Sequence, residues 1–222
     1  MTSTRRISAY IWTLIFSLAA MPLTLPAQDA GDEAWLSGVE VSVDLEGPVQ
    51  AAVSSYGQYE AQLRLNMRGR WFPVVEVGIG TSDHEDDGTQ LHYKTSAPYA
   101  RIGCDFNLLK NKRDAYRLYI GARAAYTSFK YDLEHPGITD PVWGGTSTYV
   151  ISDAECSYCW AEAVGGVQAR IAGPVHLGWS MRYRKRLTAD EGPLDKAWYV
   201  PGYGKTGKSA FGATVSLIIV IE

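Results

Sequence analysis

The stretch that decides the fold is VHLGWSMRYR, residues 175–184, in which apolar and polar side chains alternate without interruption. The odd positions carry Val, Leu, Trp, Met and Tyr, whereas the even positions carry His, Gly, Ser and two Arg. Successive side chains of a β-strand point to opposite faces of the sheet. A period of two therefore predicts a strand with one apolar and one charged face.

Seven further stretches follow the same period and bring the number of predicted strands to eight. They lie at residues 39–45, 59–68, 75–79, 99–108, 117–126, 160–171 and 211–221. Short connections at 69–73, 109–114 and 172–174 alternate with long polar ones at 46–58, 82–96, 132–155 and 187–207. Alternating short turns and long loops on an even number of strands are typical of an outer-membrane barrel. We therefore predict an all-β fold, an eight-stranded antiparallel up-and-down transmembrane β-barrel over residues 36–222, with both termini periplasmic.

A secreted soluble barrel of the lipocalin kind is the alternative, because alternation alone does not say which face points outward. The aromatic residues at strand ends favour the membrane, since aromatic girdles mark the two interfaces of a membrane barrel. These residues are Tyr59, Trp71, Phe72, Tyr116, Tyr126, Trp160, Tyr183, Trp198 and Phe211.

Residues 1–27 have the layout of a secretory signal peptide. Two arginines precede an apolar run at residues 7–25, and Ala27 offers a small side chain at the cleavage position. A retained transmembrane anchor is the alternative, but two prolines interrupt the apolar run. Residues 28–35 then form a short periplasmic segment before the first strand.

Composition argues against two other classes of protein. Hydrophobic residues make up 46% of the chain, which is too many for a disordered protein. The formal net charge is −3 and the isoelectric point is about 5.8, so the chain lacks the basic footprint of a nucleic-acid-binding protein.

Several stretches, taken together and in this order, resemble a known family. They are RWFPVVEVG at 70–78, YARIGCDFN at 99–107, WAE at 160–162, LGWSMRYR at 177–184 and YVPGYG at 199–204. This pattern resembles a family of small outer-membrane β-barrels of uncharacterised function found in Bacteroidota. The resemblance implies a barrel in the outer membrane and brings no catalytic residues with it.

The polar face of the predicted strands carries both signs of charge. An eight-stranded barrel has an interior just wide enough for side chains to fill, and arginine pairs with carboxylates through two parallel hydrogen bonds. We therefore predict a lumen closed by an ion-pair network, with a gated polar conduit as the alternative. The candidate members are Glu60, Arg64, Glu76, Arg101, Asp105, Arg117, Arg123, Glu162, Arg170, Arg182 and Arg184.

Two aromatic loop segments are candidate docking surfaces, because Tyr and Trp are favoured at binding hot spots. The candidate residues are Trp143, Trp198, Tyr199, Pro201 and Tyr203. Packing of these loops over the barrel mouth is the alternative. The predicted function is a structural scaffold or an accessory subunit of an outer-membrane assembly. Its expected partners are outer-membrane lipid or lipopolysaccharide and other outer-membrane proteins or lipoproteins; a narrow channel and a lipid-modifying enzyme are the alternatives.

No motif predicts a cofactor, a metal or a catalytic centre. Residues 83–88 begin like a calcium loop, but Lys94 stands where a closing Glu is required. His84, His92 and His135 fall on predicted outer loops without diagnostic spacing, so we do not predict an enzyme. The C-x-x-C at residues 156–159 lacks the βαβ context of a redox site, and both a disulfide and two thiols remain open.

Overall fold

The computed structural model describes residues 35–88, 90–109, 115–139, 144, 146–190 and 197–221. The predicted signal peptide, residues 28–34 and the docking candidate Trp143 lie outside this part of the chain. Within it, ten strands and one helix follow one another. The elements are β1 (Gly38–Asp44), α1 (Glu46–Val53), β2 (Tyr56–Asn66), β3 (Trp71–Glu85), β4 (His92–Asn107), β5 (Tyr116–Thr139), β6 (Thr146–Ala172), β7 (Val175–Asp190), β8 (Tyr199–Val200), β9 (Gly204–Lys205) and β10 (Ser209–Ile221).

Eight strands form a closed antiparallel barrel in which each strand pairs with its neighbours in the chain and β10 closes the ring onto β1. Strands β8 and β9 form a separate two-stranded pair. The predicted eight-stranded antiparallel up-and-down barrel is thus confirmed. In the middle of the barrel the charged side chains face the interior and most aliphatic side chains face outward, as the period of two requires. Val74, Val164 and Ile218 point inward, and charged residues nearer the mouth, such as Lys130 and Glu155, are exposed on the outer face.

The two ends of the barrel differ in shape. The short connections at 67–70, 108–115 and 173–174 lie at the same end as the start of β1 and the end of β10, which we call the terminal end. At the other end, the mouth, β5 and β6 continue far beyond their predicted limits. The predicted loops at 82–96 and 132–155 are therefore largely strand, because their Thr, Tyr, Val and Ile residues pair across tall hairpins.

The predicted loop after the first strand begins with a helix. The carboxylate of Asp44 accepts hydrogen bonds from the backbone N–H groups of Glu46 (3.1 Å) and Gly47 (2.9 Å). These contacts satisfy donors of the first turn that have no partner within the helix. Helix α1 packs beside β2, where the Cβ of any other residue at position 57 would lie 2.3 Å from that of Ala51.

Part of the predicted aromatic girdle is wrong. The side chains of Phe72 and Trp160 are fully buried inside the barrel, and Trp198 lies over the mouth against His84. The other six aromatic residues of the girdle are exposed on the outer surface. Phe72 shares a strand face with the buried Glu76, and Trp160 shares one with the buried Glu162, so the period of two places both rings inside.

Among the described residues, no helix has both the length and the apolar character needed to cross a membrane.

Candidate functional site

The interior of the barrel holds six carboxylates and six arginines among the described residues, so their formal charges cancel. We call this set the lumen network. Its members are Glu40, Asp44, Glu60, Glu76, Asp105, Glu162, Arg64, Arg101, Arg117, Arg123, Arg182 and Arg184. All but Arg117 are buried. Burying a single unpaired charge would cost several kcal/mol or more, so this balance is what makes a charged interior possible.

Glu76, on β3, lies at the centre of the lumen network. One carboxylate oxygen accepts from Arg182 Nη1 at 2.6 Å and from Arg101 Nη1 at 3.1 Å, while the other accepts from Arg123 Nε at 3.0 Å. Three arginines from three different strands therefore meet on one carboxylate whose side chain is fully buried. Removing it would leave three guanidinium groups facing one another.

Glu60, on β2, is the second buried carboxylate of the centre. Glu60 contacts Arg101 and accepts from Arg182 Nη2 at 3.2 Å. It also accepts a hydrogen bond from the Tyr99 hydroxyl at 2.7 Å. Arg101 and Arg182 therefore bridge Glu60 to Glu76.

Glu162, on β6, is the third buried carboxylate of the centre. Its Oε1 accepts a hydrogen bond from the indole N–H of Trp160 at 2.6 Å and lies 3.0 Å from Arg101 Nε. Arg184 Nε lies 3.4 Å from the same oxygen. This contact explains why the large Trp160 ring points inward, since its polar N–H has a charged partner there.

The terminal end of the lumen repeats the same chemistry. Asp105 accepts two hydrogen bonds from Arg123, at 2.7 and 3.0 Å, and forms an ion pair with Arg64 Nη2 at 2.9 Å. Arg64 Nη1 also donates a hydrogen bond to Glu40 at 3.3 Å, and Glu40 accepts a second one from Arg117 Nη1 at 2.6 Å. The network thus runs from the centre to the terminal end with each arginine shared between elements.

Arg117 closes the lumen at the terminal end by stacking over an aromatic ring. Its guanidinium carbon lies 3.9 Å from the centroid of Phe72, a cation–π contact. Of the eleven predicted network residues, ten lie in the lumen network. The exception is Arg170, which is exposed and donates from Nε to the Gly173 carbonyl at 2.8 Å.

A segment of residues 197–207, which we call the mouth segment, folds into the barrel above the lumen network. Arg101 Nη2 donates to the Gly202 carbonyl at 2.7 Å, and Arg184 Nη1 donates to the Tyr203 carbonyl at 2.9 Å. The Tyr93 hydroxyl donates to the Tyr199 carbonyl at 2.8 Å. Arginines that balance carboxylates below therefore also hold the backbone above.

The central turn of the mouth segment fits closely against the barrel wall. Gly202 has a φ of +78°, and a Cβ added there would lie 2.5 Å from the Tyr99 ring. A Cβ added at Gly80 on β3 would lie 2.7 Å from the Cα of Pro201. Both glycines are thus required by close approach of the segment, and Gly202 also by its backbone conformation.

The mouth segment contains four of the five docking candidates. Tyr199, Pro201 and Tyr203 are buried in the barrel mouth, where the Tyr199 ring packs against Tyr56 and the Tyr203 ring against Tyr158 and Trp160. Trp198 is half-buried and stacks on His84 with ring centroids 4.0 Å apart. These placements match the alternative stated above, the packing of this loop over the mouth.

Three histidines lie near the mouth in separate contacts, and His135 Nδ1 accepts a hydrogen bond from the Gly137 N–H at 3.1 Å. His84 Nδ1 is 3.0 Å from Ser55 Oγ, whereas His92 Nε2 is 2.6 Å from Asp83 Oδ1 on the outer face of the sheet. The hydrogen bond from His92 lowers the pKa of the Asp83 carboxyl below its ordinary value. Because Asp83 is engaged by His92 and Lys94, it does not orient His84, and no triad forms.

The calcium-like motif and the cysteines take ordinary positions. Within the described residues, no group of three or more His, Cys, Asp or Glu could hold a metal ion. The motif is part of a strand and a turn in which Gly88 N–H donates to Asp86 Oδ1 at 2.9 Å. Cys156 and Cys159 form no disulfide with each other, because Cys156 faces the buried aromatic cluster and Cys159 the outer surface.

The geometry defines a small eight-stranded barrel with an apolar outside and a filled, charge-balanced interior. Residues 3–220 match the family described as a domain of unknown function (DUF6048), and the chain belongs to that family. The uncharacterised family expected from the sequence is thereby confirmed, and its occurrence in Bacteroidota stays a prediction. A comparison with curated proteins found no match.

Three solved structures are similar in fold. A major outer membrane protein of Thermus thermophilus is 11% identical, with a TM-score of 0.45, over 83% of this chain and 98% of that one. Ail, the attachment invasion locus protein of Yersinia pestis, is 10% identical, with a TM-score of 0.40, over 82% and 97%. The N-terminal β-barrel domain of Pseudomonas aeruginosa OprF is 10% identical, with a TM-score of 0.35, over 83% and 97%. Identities this low indicate nothing about what this chain binds.

Replacing Glu76 by Ala is expected to lower the free energy of unfolding by about 3–5 kcal/mol, because three buried arginines lose a shared carboxylate. The measurement is urea-induced unfolding of the barrel in lipid vesicles, followed by tryptophan fluorescence. Glu155→Ala is the matched control, since its exposed pair with Lys130 is worth at most about 1 kcal/mol. Equal effects of the two variants would contradict a central role of Glu76.

Proposed function

We propose that the protein is an integral outer-membrane barrel with a closed lumen, serving as a structural scaffold or an accessory subunit of an outer-membrane assembly. The observation that carries this proposal is the inverted distribution of side chains, with charges inside and large apolar residues outside. The exposed apolar residues on the barrel strands are Leu63, Val75, Val77, Ile102, Leu118, Ile120, Val167, Ile171, Leu177, Trp179, Met181 and Ile219. Contiguous apolar surface on this scale calls for a lipid or protein environment.

The height of the apolar band supports a membrane location. On β5 the exposed Tyr116 and Tyr126 mark its lower and upper limits, and the rise between them is about 33 Å at about 3.3 Å per residue. A strand tilt of about 40° reduces this to about 25 Å, the height of the lipid-facing band in outer-membrane barrels. Trp71 at the terminal end and Phe211 near the mouth extend the two aromatic limits around the barrel.

The orientation follows the usual arrangement of such barrels, in which short turns face the periplasm and long connections face outward. On this basis the terminal end lies in the periplasm and the mouth at the cell surface. Lipid or lipopolysaccharide then contacts the band between the aromatic limits, and other outer-membrane proteins or lipoproteins are the partners of the assembly.

The filled interior argues against transport as the main role. The lumen network occupies the barrel from Glu40 to Arg184, and the mouth segment covers it. A channel would need the arginines and carboxylates to separate, which would leave buried charges unpaired. The proposed function therefore depends on the outer surfaces of the barrel and on what they bind.

Ile120→Lys is expected to impair assembly, because it places a charge near the middle of the apolar band at a cost of about 2–4 kcal/mol. The measurement is the fraction of the protein in isolated outer membranes that runs as the compact, heat-modifiable form on gels. Ser128→Lys is the matched control, since it lies on the outer face of the same strand beyond Tyr126. Unimpaired assembly of Ile120→Lys, or recovery of the wild-type chain in the soluble periplasm, would contradict the membrane location.

The purified barrel is expected to show no stepwise ion conductance in planar lipid bilayers, because the lumen network closes it. The same result is expected for Gly202→Val, which would clash with Tyr99 and dislodge the mouth segment but leave the ion pairs below in place. Regular steps for the wild-type protein would favour the channel. Steps for Gly202→Val alone would show that the mouth segment, and not the lumen network, closes the barrel.

If the barrel is an accessory subunit, we expect it to co-purify with the other proteins of its assembly after detergent solubilisation. The barrel, tagged at residue 144, is solubilised from outer membranes in mild detergent, and proteins retained in a constant ratio are identified by mass spectrometry. An unrelated eight-stranded barrel that carries the same tag is the control for non-specific retention. Recovery of the barrel alone at the size of a monomer would favour the scaffold over the accessory subunit.

A further inference from the structure

Strand β6 rises well above its neighbour on one side. Its last paired residue with β7 is Ser157, which lies opposite Asp190. On the other side β6 remains paired with β5 up to Thr146 opposite Thr139. Among the described residues, positions 146–151 of β6 thus pair only with β5, and their other side is a sheet edge within this part of the chain.

The chain connecting β7 to the mouth segment is too short to cover the upper part of this edge. Residues 191–196 join Asp190 to Ala197, which is fully buried in the mouth. Seven steps of at most about 3.6 Å give about 25 Å of chain for the way out and back. Position 151 lies six residues beyond Ser157, about 20 Å along the strand, so positions 146–151 are out of reach.

The edge strand lacks proline and charge, two of the features with which proteins block strand addition. Positions 146–152 read TSTYVIS and contain neither a proline nor a charged residue. Thr, Tyr, Val and Ile are the residues that favour strands. Below them, Asp153 has a positive φ of 57°, which interrupts the ladder between β5 and β6. The open edge therefore consists of positions 146–151, opposite which β5 carries a second irregularity between His135 and Ile138.

The sheet that carries this edge is strongly acidic. Residues 83–94, 130–135 and 146–156 contain eight Asp and Glu but only two Lys and no Arg, giving a net charge of −6 with His neutral. One row across the four strands places Glu85, His92, Glu134 and Val150 side by side. The potential at the edge thus favours a positively charged segment.

A depression on the outer face lies directly beside the edge. It has a volume of about 300 Å³, and its lining includes Glu134, His92, Thr148 and Val150. A strand added next to β6 would lie about 10 Å from the backbone of Glu134, because strands are spaced about 4.8 Å apart. A Lys or Arg opposite Val150 would therefore reach the Glu134 carboxylate across this depression.

We infer that positions 146–151 of β6 bind an extended, basic segment of a partner protein, which adds to the sheet as a further strand. Backbone hydrogen bonds supply the affinity in this mode, and side-chain depressions supply the specificity. The inference deepens the proposed accessory role. It rests on that proposal, because the proposed orientation in the outer membrane places the edge at the cell-surface end of the barrel.

A second copy of the chain is a poorer occupant of this edge. Two barrels in one membrane share the same direction along the membrane normal, so their β6 edges could meet only in the parallel sense, which is the less stable pairing. Both copies would also bring the same acidic sheet to the contact. An extended basic segment meets neither obstacle.

The test uses the purified full chain, folded in detergent, and three fluorescein-labelled peptides. The basic strand probe is Lys-Val-Thr-Val-Lys-Val-Thr; Glu replaces both Lys in the acidic probe, and Pro replaces the central Val in the broken probe. Fluorescence anisotropy measures binding, and hydrogen exchange measures protection of the amides at 146–151. The basic probe is expected to bind at least about tenfold more tightly than the other two and to protect these amides.

Two variants with a matched control locate the binding. Val150→Lys is expected to weaken the basic probe at least about tenfold, because it adds a charge of the same sign to the edge. Glu134→Gln is expected to weaken it less, and Val150→Thr, which keeps the shape and the neutrality of the edge, is expected to leave it unchanged. All three substitutions lie outside the apolar band, so the barrel remains folded, as its heat-modifiable mobility will show.

Equal binding of the broken and basic probes would overturn the inference, because it would mean attraction by charge without strand addition. Binding without protection at 146–151 would overturn it as well. Protection of these amides in the absence of any probe, together with a dimeric mass, would assign the edge to a second copy instead. Because the protein is folded in detergent, a failure here is distinct from a failure of Ile120→Lys to impair membrane assembly.

Discussion

The pairing of carboxylates with arginines inside a barrel too narrow for bulk water is the constraint on which the rest of the structure depends. Glu76 can be buried only because Arg101, Arg123 and Arg182 reach it from three strands at 2.6–3.1 Å. A slip of one residue in any strand would turn its charged side chains outward and its aliphatic ones inward. The ion pairs therefore fix the register of the sheet as well as its closure, and they make the apolar exterior unavoidable.

The same interactions explain why the mouth segment is ordered. Arg101 contacts Glu60, Glu76 and Glu162 and still has a donor left for the Gly202 carbonyl. Arg184 likewise lies near Glu162 and donates to the Tyr203 carbonyl. Guanidinium groups have five donors in a fixed plane, so carboxylates alone do not satisfy them. The backbone turn above supplies the missing acceptors, and the charge balance of the lumen thereby positions a loop.

Strand periodicity predicted the barrel, its number of strands and ten of the eleven lumen residues, because alternation reports directly on the face of each side chain. Phe72 and Trp160 were assigned to the girdle because they stand at strand ends, although they share a strand face with Glu76 and Glu162, and that shared face determines their inward position. Inside the barrel, Arg117 from another strand stacks over Phe72, and Trp160 donates to Glu162, two residues away on the same strand. Helix α1 was missed because Gly47 and Pro48 resemble a loop, and the tall β5–β6 hairpin was missed because its irregularities break the alternation of apolar and polar residues.

Closure of the barrel satisfies the backbone of every strand on both sides within the apolar band, as lipid requires. Above the band that requirement ends, and the strands no longer need to be equal in length. Here β6 exceeds β7 by eleven residues, 146–156, while β3 exceeds the start of β2 by only three, Asp83 to Glu85. The Asp83 N–H of that short excess is already bonded to the Ser55 carbonyl. A chain that needed only a sealed barrel would gain nothing from the longer edge, since an open edge invites aggregation. The acidic charge of the surrounding sheet limits pairing with copies of itself and leaves the edge open to a segment of opposite charge.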